Sequence, residues 1–284
     1  MLKKFIFLIM MLAVQLVFAD INDIKELGKA MDDLSFEKSA VSGSKTAYKL
    51  GIAKYTFNRP YKSGEKQLEV HYLNGKREGE AKFYYQNGNL LAKGNYKDDK
   101  KDGVWEFFNN DGGKIVEVNY KNGLFDGVVT EYFENGQADT VSNYIQGRKE
   151  GEEKQYYMSG KLQSVGTYVN NKTEGKFVIY YPSGKIYMTS NFLNDKHNGE
   201  INYFYENGKL ISYYKYFLDG NIEEAKEIDK EKNQVIIQKY DKNKKTASQK
   251  IYENGFLKSE NQYINGILAA EYKSSGKENG KYTW

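Results

Sequence analysis

The sequence predicts an all-β chain, an elongated and twisted antiparallel sheet of successive β-hairpins preceded by a short amphipathic helix. Three observations carry this. A pattern recurs every 24 residues, each period holds two tight-turn signals, and aromatics make up 15% of the 284 residues, with 26 Tyr and 27 Gly. Hydrophobic content of 39% and a mean hydropathy of −0.77 are low for one large aliphatic core, while the aromatics exclude a disordered chain. Many short strands joined by turns fit both facts.

The N-terminal element comes first. Lys3 and Lys4 precede the apolar run FIFLIMMLAVQLVF at 5–18, and Val17 and Ala19 stand three and one residues before Asp20. A short cationic start, an apolar stretch below the ~20 residues of a membrane span and a small-residue site make a secretory signal peptide, cut between Ala19 and Asp20. The expected divisions are therefore a signal peptide at 1–19, a helix and linker at 20–47, and a repeat array at 48–284. Within 20–47, Ile21, Ile24, Leu27, Met31 and Leu34 form one stripe of a helix, which either caps the first strand edge or docks a partner.

The array is read from its columns. Tyr96, Tyr120, Tyr144, Tyr168, Phe192 and Tyr216 form one aromatic column, and Gly79, Gly103, Gly127, Gly151, Gly175 and Gly199 a glycine column. Tyr84, Phe108, Tyr132, Tyr156, Tyr180 and Phe204 make a second aromatic column, and Gly88, Gly112, Gly136, Gly160, Gly184 and Gly208 a second glycine column. Repeats are best over 72–215 and degenerate over 216–284, as expected of terminal units that cap a stack. The charged run at 222–232 reads as a solvated edge or loop.

Pairing follows from the turns. Asn87-Gly88 between alternating segments predicts a two-residue type I′ hairpin. Counting outward sets Tyr85 against Leu90, Phe83 against Ala92, Ala81 against Gly94 and Gly79 against Tyr96. An aromatic covering a strand glycine would explain both columns; a bend at each glycine would explain one. Ala81, Phe83, Tyr85, Leu90, Ala92 and Tyr96 share face one, which is mostly apolar. Face two is polar apart from the Tyr84–Phe204 column, with Tyr187, Ile211 and Tyr213 beside it. One sheet cannot cover its own apolar face, so face one must curl, be covered, or pair with a second copy.

Little points to chemistry. The chain has no cysteine, which excludes disulfides and thiolate catalysis. Without Lys3 and Lys4, 40 basic residues oppose 38 acidic ones, too even for nucleic acid. His71 and His197 lie in different repeats and read as solvated, so no metal or cofactor site is expected, and no catalytic motif is present.

The phrase YxNGxxxGxxxxYYxNGxL resembles the bacterial variant of the MORN repeat. It stands in YLNGKREGEAKFYYQNGNL (72–90), YIQGRKEGEEKQYYMSGKL (144–162) and FLNDKHNGEINYFYENGKL (192–210). Asp99, Asn171 and Asp195 depart from it by replacing the first turn glycine. The resemblance implies a sheet of hairpins used for protein or membrane-surface contacts, with no catalytic residues. The expected function is a non-enzymatic extracytoplasmic scaffold for protein or cell-surface interaction, the Tyr84–Phe204 column being its candidate contact row. A carbohydrate or peptidoglycan binder and a membrane-surface module are the alternatives. The signal peptide argues against an antitoxin role, and no membrane span is expected once it is removed. The expected partner is a protein or a cell-surface polymer.

Overall fold

The computed structural model describes residues 54–60, 63–216, 221–241 and 245–273, together with Lys25, Lys29 and Asp32. The signal peptide, its Ala19–Asp20 junction and the apolar stripe of 21–34 lie outside the described residues. Lys25, Lys29 and Asp32 are helical. Within each of the two units the strands pair antiparallel in hairpin order, as the period predicts.

The chain divides into two compact units, 1–124 and 125–284. The first holds β1 (Lys54–Pro60), β2 (Lys66–Leu73), β3 (Lys76–Tyr84), β4 (Leu90–Lys97), β5 (Lys100–Phe108) and β6 (Lys114–Lys121), each paired with the next. The second opens with β7 (Leu124–Tyr132) and β8 (Ala138–Ile145). Next come β9 (Arg148–Lys149) and β10 (Gly151–Tyr156), one strand broken at Glu150, then β11 (Leu162–Val169), β12 (Lys172–Tyr180) and β13 (Ile186–Leu193). A similar break at Asn198 separates β14 (Lys196–His197) from β15 (Gly199–Phe204). The unit ends with β16 (Leu210–Tyr216), β17 (Ile222–Asp229), β18 (Gln234–Asp241), β19 (Thr246–Glu253), β20 (Phe256–Ile264) and β21 (Ile267–Lys273).

The two turns of each repeat exchange the roles expected of them. Positive φ at both central residues, the mark of a type I′ turn, occurs at Asn74-Gly75, Asp98-Asp99, Asn122-Gly123, Gln146-Gly147, Asn170-Asn171 and Asn194-Asp195. At Asn87-Gly88 only the glycine has positive φ, and Gly88 N–H donates to Tyr85 O at 3.0 Å while Tyr85 N–H donates to Asn89 O at 2.8 Å. That is a type I turn closed by a left-handed glycine, one residue longer than the expected loop. The extra residue makes a bulge, so Tyr84, not Tyr85, lies opposite Leu90, while Phe83–Ala92, Ala81–Gly94 and Gly79–Tyr96 pair as predicted. Gly151–Tyr168 and Gly199–Tyr216 also hold.

The Asp and Asn departures from the repeat phrase have a structural cause. Asp99, Asn171 and Asp195 each accept, through Oδ1, a bond from the backbone N–H of Arg77, Lys149 and Thr173 at 2.7, 2.7 and 2.6 Å. Their own N–H groups donate back to the carbonyls of the same three residues. Gly123 and Gly147 make only the second of these bonds, to Lys101 O and Phe125 O. The side chain thus adds a rung between successive turns that glycine cannot.

The column of Gly79 serves the bend. All six members have positive φ, between 69° and 112°, where a side chain is strained. A Cβ on Gly79 would meet only His71. The glycine covered by an aromatic ring is a different one: at Gly94 a Cβ would stand 2.3 Å from Trp105, and at Gly166 2.4 Å from Phe177.

Face one of the first unit is its core. Leu68, Val70, Ala81, Phe83, Ala92, Tyr96, Trp105, Phe107, Val116 and Val118 are buried. Trp105 is fully enclosed, its ring centre 5.1 Å from Tyr96 and 6.3 Å from both Phe83 and Tyr120, and its indole N–H donates to Asn95 O at 3.0 Å. In the second unit the same columns turn polar. Where Trp105 stands, the next repeats have Val129 and Glu153; the Val116 and Val118 columns continue as Thr140 and Ser142, and all four are buried. The mostly apolar face expected throughout holds for the first unit and is interrupted here by buried polar side chains among Tyr144, Tyr168 and Met188.

The charged run is not a loop. Residues 222–229 form β17, with Ala225 buried and carboxylates paired across strands: Glu223 with Lys215 at 3.0 Å and Glu224 with Lys239 at 3.1 Å. Only its end, 230–233, is a turn.

Candidate interaction surface

The predicted contact column, Tyr84, Phe108, Tyr132, Tyr156, Tyr180 and Phe204, recurs in the structure as six strand-terminal residues. Each stands at a register shift beside the left-handed glycine turn, and each is half-buried. The position follows from the turn: the loop is one residue too long for the ladder, so the strand's last residue leaves regular pairing. In the first unit, the Lys66 ammonium lies 5.9 Å from the Tyr84 ring centre and that of Lys93 5.8 Å from Phe108. Lys93 also bonds Glu106 at 2.7 Å, and Lys114 bonds Glu106 and Glu117 at 3.2 and 2.8 Å, so charged pairs on face two flank the rings.

The backbone of this column has a structural duty. The hydroxyls of Tyr85, Tyr157 and Tyr181 donate to the carbonyls of Phe108, Tyr180 and Phe204, at 2.9, 2.6 and 2.7 Å. In these three YY pairs, then, the second ring ties its repeat to the next, and the first is presented at the edge. Burial raises the Tyr157 and Tyr181 phenol pKa values above their ordinary value, so these hydroxyls stay donors at neutral pH. Tyr157→Phe is expected to cost about 1 kcal/mol, the worth of one such bond, with no change in strand content; equilibrium unfolding in denaturant measures it, and an unchanged midpoint would remove the tie.

Tyr187, expected beside the column on face two, instead packs on Tyr181 and Tyr203, with ring centres at 5.1 and 5.7 Å. The bulge re-aims it. Phe204 lines an open crevice with Ile186, Gly184 and Gly208 between successive turns of the second unit. Ile145, Val169 and Leu193, one per repeat beside the type I′ turns, are exposed and add an apolar row.

A second column was not singled out by the sequence. Two residues before each bend glycine stand Arg77, Lys101, Phe125, Lys149, Thr173 and His197, at 24-residue spacing. Arg77, Lys101 and Lys149 are buried cations. Each lies against column tyrosines: the Arg77 guanidinium is 4.1 Å from the Tyr96 ring centre, Lys101 is 5.6 and 5.8 Å from Tyr96 and Tyr120, and Lys149 is 4.6 Å from Tyr168. His197 sits between Phe192 and Tyr216, 4.5 and 5.2 Å away, and meets Ser190 Oγ at 3.0 Å. It is packed in an aromatic stack, not solvated as expected, and burial lowers its pKa. In the first unit, cations and rings alternate along this column, Arg77, Tyr96, Lys101 and Tyr120 in turn.

The charges of this column are neutralised in two ways. Lys149 bonds Glu153, which also accepts from Ser142 Oγ at 2.6 Å, all within the sheet. Arg77 and Lys101 instead meet Asp32, from the N-terminal segment. Its Oδ1 accepts from Arg77 Nη1 at 2.9 Å and from the Tyr96 hydroxyl at 2.9 Å, and its Oδ2 from Lys101 Nζ at 2.7 Å. Asp32 therefore meets side chains of β3, β4 and β5. Burial holds the Lys101 pKa below its ordinary value, with Asp32 opposing that shift. Nothing in the local sequence marks Asp32; the 24-residue spacing of Arg77 and Lys101 was the available signal.

Among the described residues, no cluster of His, Asp or Glu is arranged to hold a metal ion, and no helix is long and apolar enough to cross a membrane. Four stretches, 77–98, 101–122, 149–170 and 173–194, match the family model described as the MORN repeat variant. They begin at Arg77, Lys101, Lys149 and Thr173, members of the inner column. No curated protein sequence matches the chain. Among solved structures, a GtfA/B complex bound to UDP and GlcNAc is similar at 14% identity, over 40% of this chain and 22% of that one, with a TM-score of 0.20. The Photorhabdus luminescens Tc holotoxin pore is similar at 11% identity, over 74% of this chain and 14% of that one, with a TM-score of 0.18. This chain spans less than a quarter of either, and likenesses at these scores carry no inference about fold or activity.

Proposed function

We propose that this chain is a non-enzymatic scaffold that works outside the cytoplasm and holds a protein partner along the edge column of aromatic rings. The observation that carries the reading is the repetition of one half-buried ring per repeat, Tyr132, Tyr156, Tyr180 and Phe204 in the second unit, each at a bulge outside regular pairing. Rings held this way offer large contact area at low entropy cost, and repetition lets one partner engage several at once. The matched repeats support a scaffold for protein or membrane interaction. The apolar run at 5–18 after Lys3 and Lys4 supports export.

The test compares the native chain with the Tyr132→Ser/Tyr156→Ser/Tyr180→Ser chain as bait for cell-envelope extract, circular dichroism first showing equal strand content. A protein retained by the native bait alone is the expected result. Retention that survives protease treatment of the extract would point to a glycan, and salt-sensitive flotation with anionic liposomes to a membrane surface. Equal retention by both baits would discard the column as the contact row.

A further inference from the structure

We propose that Arg77, Tyr96 and Lys101 form a carboxylate-binding site whose resident ligand is Asp32 of the chain's own N-terminal segment, and that a free carboxylate takes the same place when Asp32 is removed. The inference is independent of the reading of the edge column.

The site is built by the sheet. Arg77 on β3, Tyr96 on β4 and Lys101 on β5 lie on adjacent strands of the first unit, and their side chains converge on a single carboxylate. Arg77 and Lys101 are 4% and 3% exposed, yet the Asp32 side chain between them is 40% exposed. The cations belong to the buried face, whereas their partner sits at its boundary with solvent. Neighbouring bonds hold the donors in place. Arg77 Nη2 donates to the Asp99 carbonyl, its guanidinium lies over the Tyr96 ring, and Lys101 is flanked by the rings of Tyr96, Trp105 and Tyr120.

The repeat supplies an internal comparison. At the equivalent position in the fourth repeat, Lys149 is neutralised by Glu153 four residues on. Four residues beyond Arg77 and Lys101 stand Ala81 and Trp105, which carry no charge. Within the sheet, Asp99 approaches this pair, 3.6 Å from Arg77 Nε. The Asp32 carboxylate bridges both buried cations, and pairing of this kind offsets the cost of burying charge. Both oxygens of Asp32 are engaged, by a guanidinium and a hydroxyl on one and an ammonium on the other, which suits a planar two-oxygen anion. A carboxylate is therefore the ligand class the donor set selects.

The experiment is chemical rescue. Asp32→Ala removes the carboxylate and leaves its space open. Its melting temperature is expected to fall by several degrees, and rising acetate at constant ionic strength is expected to restore most of that loss, with chloride without effect. The native chain, whose site is filled, is expected not to respond to acetate. Adding Lys101→Met to Asp32→Ala should abolish the rescue. If Asp32→Ala does not fold, Asp32→Asn keeps the shape, removes the charge and fills the space; it should melt below the native chain and ignore acetate. An alanine chain that melts like the native one, a rescue that chloride matches or that survives Lys101→Met, or an asparagine chain as stable as the native one would each overturn the proposal.

Discussion

A Gly94→Ala chain is expected to lose about 3 kcal/mol or more of stability, among the largest effects of any single methyl group added to this molecule. The new Cβ would stand 2.3 Å from Trp105 Cδ2 and 2.4 Å from its Cγ and Cε2. Trp105 is the largest fully buried side chain and is packed by Phe83, Tyr96, Phe107 and Tyr120, so it has nowhere to retreat. The control is Gly88→Ala. Gly88 has a φ of 89° and nothing within 4 Å of the added atom, so the change costs only the left-handed backbone, about 1–2 kcal/mol. Denaturant unfolding followed by tryptophan fluorescence reads both, and the Gly94→Ala chain should also show a red-shifted native spectrum as Trp105 is displaced. Equal losses in the two chains would mean that the ring does not press on Gly94.

The second large effect concerns the pair inside the sheet of the second unit. Glu153→Leu alone leaves the Lys149 ammonium buried without its carboxylate, and is expected to cost about 3–5 kcal/mol. Lys149→Met with Glu153→Leu replaces both charges by apolar groups among Tyr144, Tyr168 and Phe125, and is expected to lie within about 1 kcal/mol of the native chain. The single change is worse than the double because the penalty belongs to the orphaned charge rather than to the lost bond. A thermodynamic cycle over the four chains measures the coupling; additive losses would show that water reaches the pair and screens it.

Several parts of this architecture were legible from residue spacing. Periodic turn chemistry sets strand order, because an antiparallel hairpin joins only sequence neighbours, and Gly79–Tyr96, Ala81–Gly94 and Phe83–Ala92 pair as counting predicts. The end of the array is also readable: Asn254-Gly255 and Asn265-Gly266 have positive φ at both residues and join β19–β20 and β20–β21. What misled was the assumption that Asn-Gly always makes a two-residue turn. Asn87 keeps negative φ, the loop gains a residue, and the change moves Tyr84 opposite Leu90 and turns Tyr187 toward Tyr203. Asn-Gly identity cannot distinguish these turns, since both place the glycine in the left-handed region.

The charged positions show the same limit from another side. Glu223 and Glu224 looked like a solvated run because charges crowd the stretch that follows, from Lys226 to Lys232; on β17 they find Lys215 and Lys239 on the flanking strands. Arg77 and Lys101 could be placed on the inner column by their 24-residue spacing, but not given a partner, since Asp32 lies 45 and 69 residues away.

The sequence by itself determined the hairpin order and most of the strand register, because these depend on φ preferences and on side-chain alternation over a few residues. The tertiary structure decided which glycine lies beneath a ring, which loop carries the bulge, and which carboxylate neutralises each buried cation. Those depend on approaches between atoms of different repeats, or between the N-terminal segment and the sheet, where distances of a few tenths of an ångström separate a clash from a contact. Local patterns carry no information about such distances.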